Sequence, residues 1–170
     1  MKKSIIIISV ISVILIIGVL FSTTWLTSSK EYIPIFNDTI YFHMTENKLK
    51  IIKGEPFKTE KNICDTNTDL FVFNEKIEGY DATVDYYFTK NKLTEVRIEI
   101  AEISYKDALN LVSKNKEIYS KRENYYYTEN DNDNSAKFSI SNGVNLGATG
   151  INYDFEYEFN KLTIIATYQI

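Results

Sequence analysis

The sequence predicts an α+β protein, in which an N-terminal transmembrane helix is followed by an antiparallel sheet domain with two helices. Three observations lead to this fold class. The chain begins with a long uncharged apolar run, most of the remainder alternates aromatic or β-branched residues with polar ones, and two segments repeat apolar residues at helical spacing. With 13 Tyr, 10 Phe, 6 Gly and 2 Pro among 170 residues, the composition favours a packed, β-rich core over a disordered chain.

The N-terminal run predicts a membrane anchor. Lys2 and Lys3 precede a segment without charge, and Trp25 lies near its far end. As a helix, residues 5–26 would extend about 33 Å, which matches a bilayer core about 30 Å thick. The basic start favours a cytoplasmic N-terminus at residues 1–4. Residues 27–35 would then be a tether, and residues 36–170 an extracytoplasmic domain.

A cleaved secretory signal is the alternative interpretation of the same run. No Ala-x-Ala site follows it, and residues 27–29 before Lys30 are the best cleavage site available. A lipoprotein signal needs a cysteine directly after the run, whereas the single cysteine is Cys64. The sequence therefore favours an uncleaved signal anchor, hence a single-pass protein of the cell membrane. The abundance of Ile, Lys and Asn suggests a bacterial cell envelope.

Charge and cysteine content exclude several classes of protein. Beyond Lys2 and Lys3, 17 basic residues (two fewer than the 19 of the whole chain) stand against 23 acidic ones. An acidic domain is not built to hold nucleic acid or to lie flat on an anionic membrane. A single cysteine, Cys64, excludes any disulfide within the chain. Stability must therefore come from packing.

Two helices and seven strands are predicted in the domain. Thr45 is a candidate N-cap for a helix that ends before Gly54 and Pro56, and Ser104 is a candidate start for a second helix with Asp107 in its first turn. Short runs of aromatic and β-branched residues predict strands. These runs are residues 70–73, 83–88, 94–100, 125–128, 137–140, 151–159 and 162–168.

An internal repeat indicates that the domain is built twice. The tetrapeptide Asn-Lys-Leu-Thr occurs at residues 91–94 and again at residues 160–163, each time after an aromatic strand. Asn and Lys at such a junction are typical of a hairpin turn. The halves 36–102 and 103–170 each begin with a helix and continue through strands. We therefore predict two similar helix-then-meander units that share one sheet, with helices packed on its apolar face.

The first helix and its end carry a resemblance to a known module. Met44 and Thr45, then Leu49, then Lys53 to Pro56 with the sequence Lys-Gly-Glu-Pro, resemble the helix-plus-sheet unit of the outer-membrane assembly lipoproteins and of the β-lactamase inhibitory protein. The latter carries two such units in tandem. The resemblance implies this fold and a tendency to bind other proteins, and it implies no site residues. This chain differs in having no lipobox cysteine, no disulfide and no Gly-x-Pro in its second half.

A thiol–imidazole dyad is the sharpest enzymatic hypothesis, because His43 and Cys64 are the single residues of their kinds. The imidazole would have to lie within hydrogen-bond reach of the sulfur and lower the pKa of the thiol. Nothing in the sequence orients either group. We favour a packing or surface position for His43 beside the first helix, and a small hydrophobic position for Cys64 at a strand end.

Residues 129–135 resemble the opening of a calcium loop. Asp131, Asp133 and Ser135 offer oxygen ligands at alternate positions. However, Ala136 stands where such a loop needs Gly, and Asn142 where it needs a bidentate Glu. A solvated hairpin tip between two strands is the favoured interpretation.

Three other groups of residues are candidate sites. The carboxylate pairs Glu156 with Glu158 and Glu95 with Glu99 share a strand face, where charge is usually only solvated. Three successive tyrosines, residues 125–127, would suit a sugar or a protein partner. Glycines occur at positions 143, 147 and 150 without the spacing of a phosphate loop. We predict no catalytic, cofactor-binding or metal-binding residue and no cofactor.

The predicted function follows from these observations. We expect a non-enzymatic, membrane-anchored extracytoplasmic module that binds another envelope protein and no nucleic acid. The alternatives are an envelope hydrolase, which would use scattered carboxylates or the dyad, and a small-ligand-binding sensor domain.

Overall fold

The computed structural model describes residues 30–37, 39–63, 66–119, 125–132, 135–142 and 150–169. Residues Glu31–Ile170 form one unit. It contains a 3-10 turn at Pro34–Phe36, α1 at Glu46–Lys53 and α2 at Tyr105–Tyr119. Its strands are β1 (Lys58–Glu60), β2 (Thr68–Ile77), β3 (Tyr80–Thr89), β4 (Lys92–Ile100), β5 (Tyr125–Asn132), β6 (Ser135–Asn142), β7 (Gly150–Glu158) and β8 (Lys161–Gln169).

The strands form one antiparallel sheet in the order β1-β2-β3-β4-β8-β7-β6-β5. Among the described residues, each half of the domain contributes one α-helix and a four-strand meander. The last strands of the two meanders, β4 and β8, pair at the centre. If the two meanders are aligned so that Val96 matches Ile164, then Arg97 of β4 matches Ile165 of β8. Arg97 and Ile165 are also register partners across the β4–β8 pair. The two meanders are therefore related by an approximate two-fold axis at the Arg97–Ile165 pair.

Alternating residues of the strands build the core on one face of the sheet. Phe71, Tyr86, Ile98 and Phe155 are each at most 1 % exposed. Both helices contribute to the same buried cluster, α1 through Leu49, and α2 through Ala108, Leu111 and Val112. We call this side of the sheet the core face.

The opposite side of the sheet is the helix-free face, since both helices pack against the core face. A central row on it runs across β2, β3, β4, β8 and β7 through Val72, Asp85, Arg97, Ile165 and Asp154. Strand residues alternate between the two faces, so each strand supplies the buried core and this second surface at once.

The sequence signals for the helix ends correspond to real caps. Thr45 Oγ1 accepts a hydrogen bond from Lys48 N at 3.3 Å, and Gly54, with φ of 84°, closes α1 through a bond from its N to Lys50 O of 2.8 Å. At the start of α2, Ser104 Oγ accepts from Asp107 N at 3.2 Å. Side-chain caps of this kind satisfy backbone groups that a short helix leaves unbonded.

Two-residue turns with positive φ close three of the hairpins. They are Glu78–Gly79 between β2 and β3, Lys90–Asn91 between β3 and β4, and Phe159–Asn160 between β7 and β8. Two left-handed residues in succession match the twist of the flanking strands. In both copies of the repeated tetrapeptide, Asn fills the second turn position and Lys begins the next strand.

The core begins before residue 36. Ile33, which the sequence places in a tether, is fully buried, and its N donates to Ile40 O at 2.8 Å. Tyr32 forms an isolated β-bridge with Tyr41. The segment before α1 is therefore folded against the sheet domain.

The predicted fold class and the single-pass cell-membrane localisation need correction. Within the described ranges, no helix is both long enough and apolar enough to cross a bilayer. This finding contradicts the transmembrane part of the predicted fold class, and the predicted helix at residues 5–26 lies outside the described residues. Hydrophobic length and charge alone do not show where a segment lies. The corrected fold class is an eight-stranded antiparallel sheet with two helices.

Candidate functional site on the helix-free face

A cluster of charged and aromatic side chains occupies the centre of the helix-free face. Asp85 and Tyr87 come from β3, and Glu95, Arg97 and Glu99 from β4. Asp85 pairs with Arg97 and Tyr87 with Glu95 in the strand register, so these four side chains form two adjacent cross-strand pairs. We call these five residues the central cluster.

A β-bulge sets which way Glu95 points. The β3–β4 register shifts between Tyr87 and Phe88, and Thr94 is left without a partner. In a regular strand Glu95, two residues after the buried Leu93, would share the core face. The extra residue instead places Glu95 on the helix-free face and returns Val96 to the core. β8 has no such insertion, since Leu162 and Ile164 are both buried. Bulges often reorient side chains at functional sites.

Arg97 is the centre of the cluster. Its Nη2 lies 3.5 Å from Glu95 Oε1, and its guanidinium lies 5.9 Å from the centroid of the Tyr87 ring. The Arg97 Nε is buried and makes no hydrogen bond to any described residue. A guanidinium held between a carboxylate and an aromatic ring loses little rotamer freedom when it binds.

The carboxylates of the cluster are partly desolvated. Burial raises the pKa of Asp85, and this effect outweighs the opposing attraction of Arg97. Burial likewise raises the pKa of Glu95, again against the effect of Arg97, and the charge of Asp85 adds to the rise. Repulsion from Glu99 also raises the pKa of Asp85. One guanidinium thus compensates these acids only in part.

Acidic side chains outnumber basic ones over this face as a whole. The described carboxylates on it are those of Glu60, Asp81, Asp85, Glu95, Glu99, Asp154, Glu156 and Glu158. The described basic groups on it are those of Lys58, Lys76, Lys92, Arg97, Lys137 and Lys161. The face therefore presents a negative potential to a partner.

An open depression of about 530 Å³ lies at one corner of this face. Its lining comes from β2, β3 and the end of β4, and includes Asn74, Thr83 and Glu99. Lys76 and Asp81, which also line it, are bonded to each other at 2.7 Å. The depression is open to solvent, and it adjoins the central cluster through Glu99.

His43, one member of the predicted dyad, packs against the sheet. Its N donates to Leu93 O at 2.9 Å, and its ring meets that of Tyr168 edge-on at 4.3 Å. Burial, with Lys92 as a smaller cause, lowers the pKa of His43. Cys64 lies outside the described residues, so the dyad stays an untested hypothesis.

The predicted calcium segment forms the β5–β6 hairpin. Asn132 pairs with Ser135 across a two-residue connection, and Asp133 lies outside the described residues. Ala136 is buried and pairs with Tyr157. In the part of the chain that the structure describes, no three His, Cys, Asp or Glu side chains are placed to hold a metal ion.

The remaining predicted residues lie either on the helix-free face or in segments whose side chains or backbone the structure does not describe. Glu95 and Glu99 belong to the central cluster, and Glu156 and Glu158 are exposed on the same face. The tyrosines at 125–127 lie in β5, whose side chains are not described, and the glycines at 143 and 147 lie outside the described residues. Sequence analysis missed Asp85, Tyr87 and Arg97 as site residues. The alternation in β3 and β4 placed them on one face, but only the register brings them together.

Comparisons with known proteins add no further assignment. No family model, no curated protein and no solved structure matches this chain. The resemblance to the outer-membrane assembly lipoproteins and the β-lactamase inhibitory protein therefore stays a prediction.

Proposed function

We propose that this domain is a non-catalytic protein-binding module whose contact surface is the helix-free face. The observation that carries the proposal is the central cluster, in which Asp85, Glu95 and Arg97 are half-buried on a surface that no described helix covers. Charged groups withdrawn from water usually serve a core, a catalytic site or an interface. This cluster is outside the core, and Glu99 at its edge is the only one of its residues that lines the described depression.

The shape of the face supports the same proposal. The antiparallel sheet offers a broad surface, and Tyr87 and Ile165 add apolar area among its charges. Aromatic and arginine side chains are enriched where interfaces gain most of their binding energy. Because the backbone of β4 is bonded on both sides, the central cluster is held in place before a partner arrives.

A small-ligand function is the second candidate, and the corner depression is the observation that favours it. Its volume of about 530 Å³ is in the range of ligand sites. However, Lys76 and Asp81 at its rim already bond to each other, and the depression is open to solvent. Most ligand sites enclose the greater part of their ligand, so we rank this open depression below protein binding.

Site-specific photo-crosslinking of the full chain tests the proposal. A photoreactive residue at Ile165 lies at the centre of the helix-free face, and one at Asn47 lies on the exposed side of α1. In the native cells, we expect the Ile165 probe to join the chain to a defined second protein, and the Asn47 probe to give no such product. Equal adducts from both positions, or none from Ile165, would contradict the proposal.

A further inference from the structure

We infer that the partner of the helix-free face presents a basic surface, whose lysine or arginine side chains contact Asp85 and Glu95. This inference rests on the proposed function and specifies the class of partner.

The carboxylates of the cluster differ in how well they are matched by cations. Glu99 has Lys161 within 3.9 Å. Glu95 has only the guanidinium of Arg97, at 3.5 Å. Asp85 interacts with the same guanidinium and with the Tyr87 hydroxyl. Burial and repulsion from Glu99 both disfavour its ionised form. Asp85 and Glu95 therefore share one cation between two half-buried negative charges.

The nearest other cation is already engaged. Lys58 interacts with Asp85, but its ammonium forms an ion pair with Glu60. Both side chains of that pair are more than two-fifths exposed, so water screens the attraction between Lys58 and the central cluster. No described residue therefore supplies the second positive charge.

Docking of any protein on this face removes the water that still solvates Asp85 and Glu95. Desolvating an unmatched carboxylate is unfavourable by several kcal/mol, so a neutral or acidic partner would bind at a loss. A partner that brings its own ammonium or guanidinium groups replaces that water with ion pairs. Complementary charge of this kind gives both specificity and fast association.

Charge also excludes two other occupants. A second copy of this chain would bring the same excess of carboxylates against the first, and like charges across an interface are unfavourable. A nucleic acid would present phosphates to an acidic surface. Among macromolecular partners, a basic protein surface is the one that the helix-free face fits.

Selection of peptides on the immobilised full chain tests the inference without knowledge of the natural partner. The probe is a random peptide library displayed on phage, selected at low ionic strength. We expect the recovered peptides to be rich in Lys and Arg. The double variant Asp85→Asn with Glu95→Gln should bind them roughly tenfold more weakly or worse. Added salt should weaken binding to the natural sequence.

Two further variants make the outcomes distinct. Glu55→Gln removes a carboxylate that is 81 % exposed beside α1, and it should bind the peptides as the natural chain does. Ile165→Trp enlarges a side chain at the centre of the helix-free face, and it should block them.

Two outcomes would overturn this inference and leave the proposed function standing. In the first, Ile165→Trp abolishes peptide binding but the double variant does not weaken it. In the second, Ile165→Trp abolishes binding but the selected peptides are not rich in Lys and Arg. Peptides unaffected by either change, or no binding peptides at all, would overturn both. Equal loss with Glu55→Gln would show only general charge attraction and would overturn the inference.

Discussion

Asp85 and Glu95, which lie on the helix-free face, oppose folding at neutral pH because their ionised carboxylates are partly buried. Burial raises the pKa of both side chains above their ordinary values, so the folded chain binds protons more tightly there than the unfolded chain does. A carboxyl group whose pKa is raised by folding stabilises the folded state fully only below its pKa in the unfolded chain. This contribution is lost as the pH rises through its pKa in the folded chain. Residues that oppose folding and are nevertheless present are candidates for binding.

Substitution of these acids by amides should therefore stabilise the protein. We expect Asp85→Asn and Glu95→Gln to raise the Tm at pH 7, because the unfavourable ionised form is removed. The gain should shrink as the pH falls and vanish below the ordinary pKa values of 3.8 and 4.5. Thermal unfolding followed by circular dichroism across that range measures this. A lower Tm at pH 7 would show that both acids stabilise the fold.

A second residue-scale feature joins α1 to the sheet. Lys53 bonds to Glu75, whose side chain is only 10 % exposed, and the hydroxyl of Tyr86 donates to the same carboxylate at 2.7 Å. Burial raises the pKa of Tyr86 well above its usual value, and Glu75 adds to the rise. The hydroxyl therefore stays protonated and remains a donor.

Lys53→Met should destabilise the protein by about 2–3 kcal/mol, because it leaves the Glu75 carboxylate buried without its cation. Lys50→Met is the matched control. Lys50 is in the same last turn of α1 and also lies over a phenylalanine ring, but its partner Glu55 is 81 % exposed. We expect its effect to stay below about 0.5 kcal/mol. Urea titration gives both free energies of unfolding, and equal losses would refute the distinction.

At the scale of elements, local sequence signals predicted both helices closely. The predicted caps Thr45 and Ser104 immediately precede α1 and α2, because capping depends on a few neighbouring residues. The strands predicted at residues 83–88, 94–100 and 162–168 lie within observed strands. β1 was not predicted, since its three residues form a strand only by pairing with β2.

Removal of either cap should weaken its helix. We expect Thr45→Ala and Ser104→Ala each to lower the free energy of unfolding by about 1 kcal/mol, because a backbone N–H loses its acceptor. Urea denaturation measures the loss, and Thr→Ser at position 45, which keeps the hydroxyl, is the control. No loss with Thr45→Ala would mean that the 3.3 Å bond from Lys48 N to Thr45 Oγ1 contributes nothing to stability.

The turn between β7 and β8 carries an unfavourable residue. Phe159 is 87 % exposed with φ of 50°, a left-handed conformation that disfavours bulky side chains. The neighbouring Asn160 makes the hydrogen bonds of this turn. Its O accepts from Ile103 N, and its Oδ1 accepts from the Tyr157 hydroxyl.

Phe159→Asn should therefore stabilise the protein by about 0.5–1 kcal/mol, because Asn tolerates this conformation better. Lys90→Asn, at the equivalent turn position of the first half, should give a similar gain. Differential scanning calorimetry of both variants checks this, and a loss of stability with Phe159→Asn would show that its ring contributes to the fold.

At the scale of the whole molecule, the two halves share a seam. Six residue pairs join β4 to β8, and Ile98 and Ile164 at its middle are buried in the common core. The internal repeat predicted that two meanders share one sheet. It did not predict that their last strands meet, because that choice depends on non-local pairing. The central cluster was missed for the same reason.

A shared seam predicts cooperative unfolding of the domain. Guanidinium denaturation should give one transition, with coincident midpoints for far-ultraviolet circular dichroism and for the near-ultraviolet signal of the tyrosines. Ile98→Ala should move both midpoints together, with a loss of about 2–4 kcal/mol. Two separated transitions would show that the halves fold independently.

The measurement that tests the central claim most directly is a nuclear magnetic resonance titration of the full chain with the partner or peptide that the experiments above identify. Binding at the helix-free face should shift the resonances of Asp85, Tyr87, Glu95 and the Arg97 Nε–H most, and those of α1 and α2 least. Shifts concentrated on the helices, with the central cluster unchanged, would contradict the account.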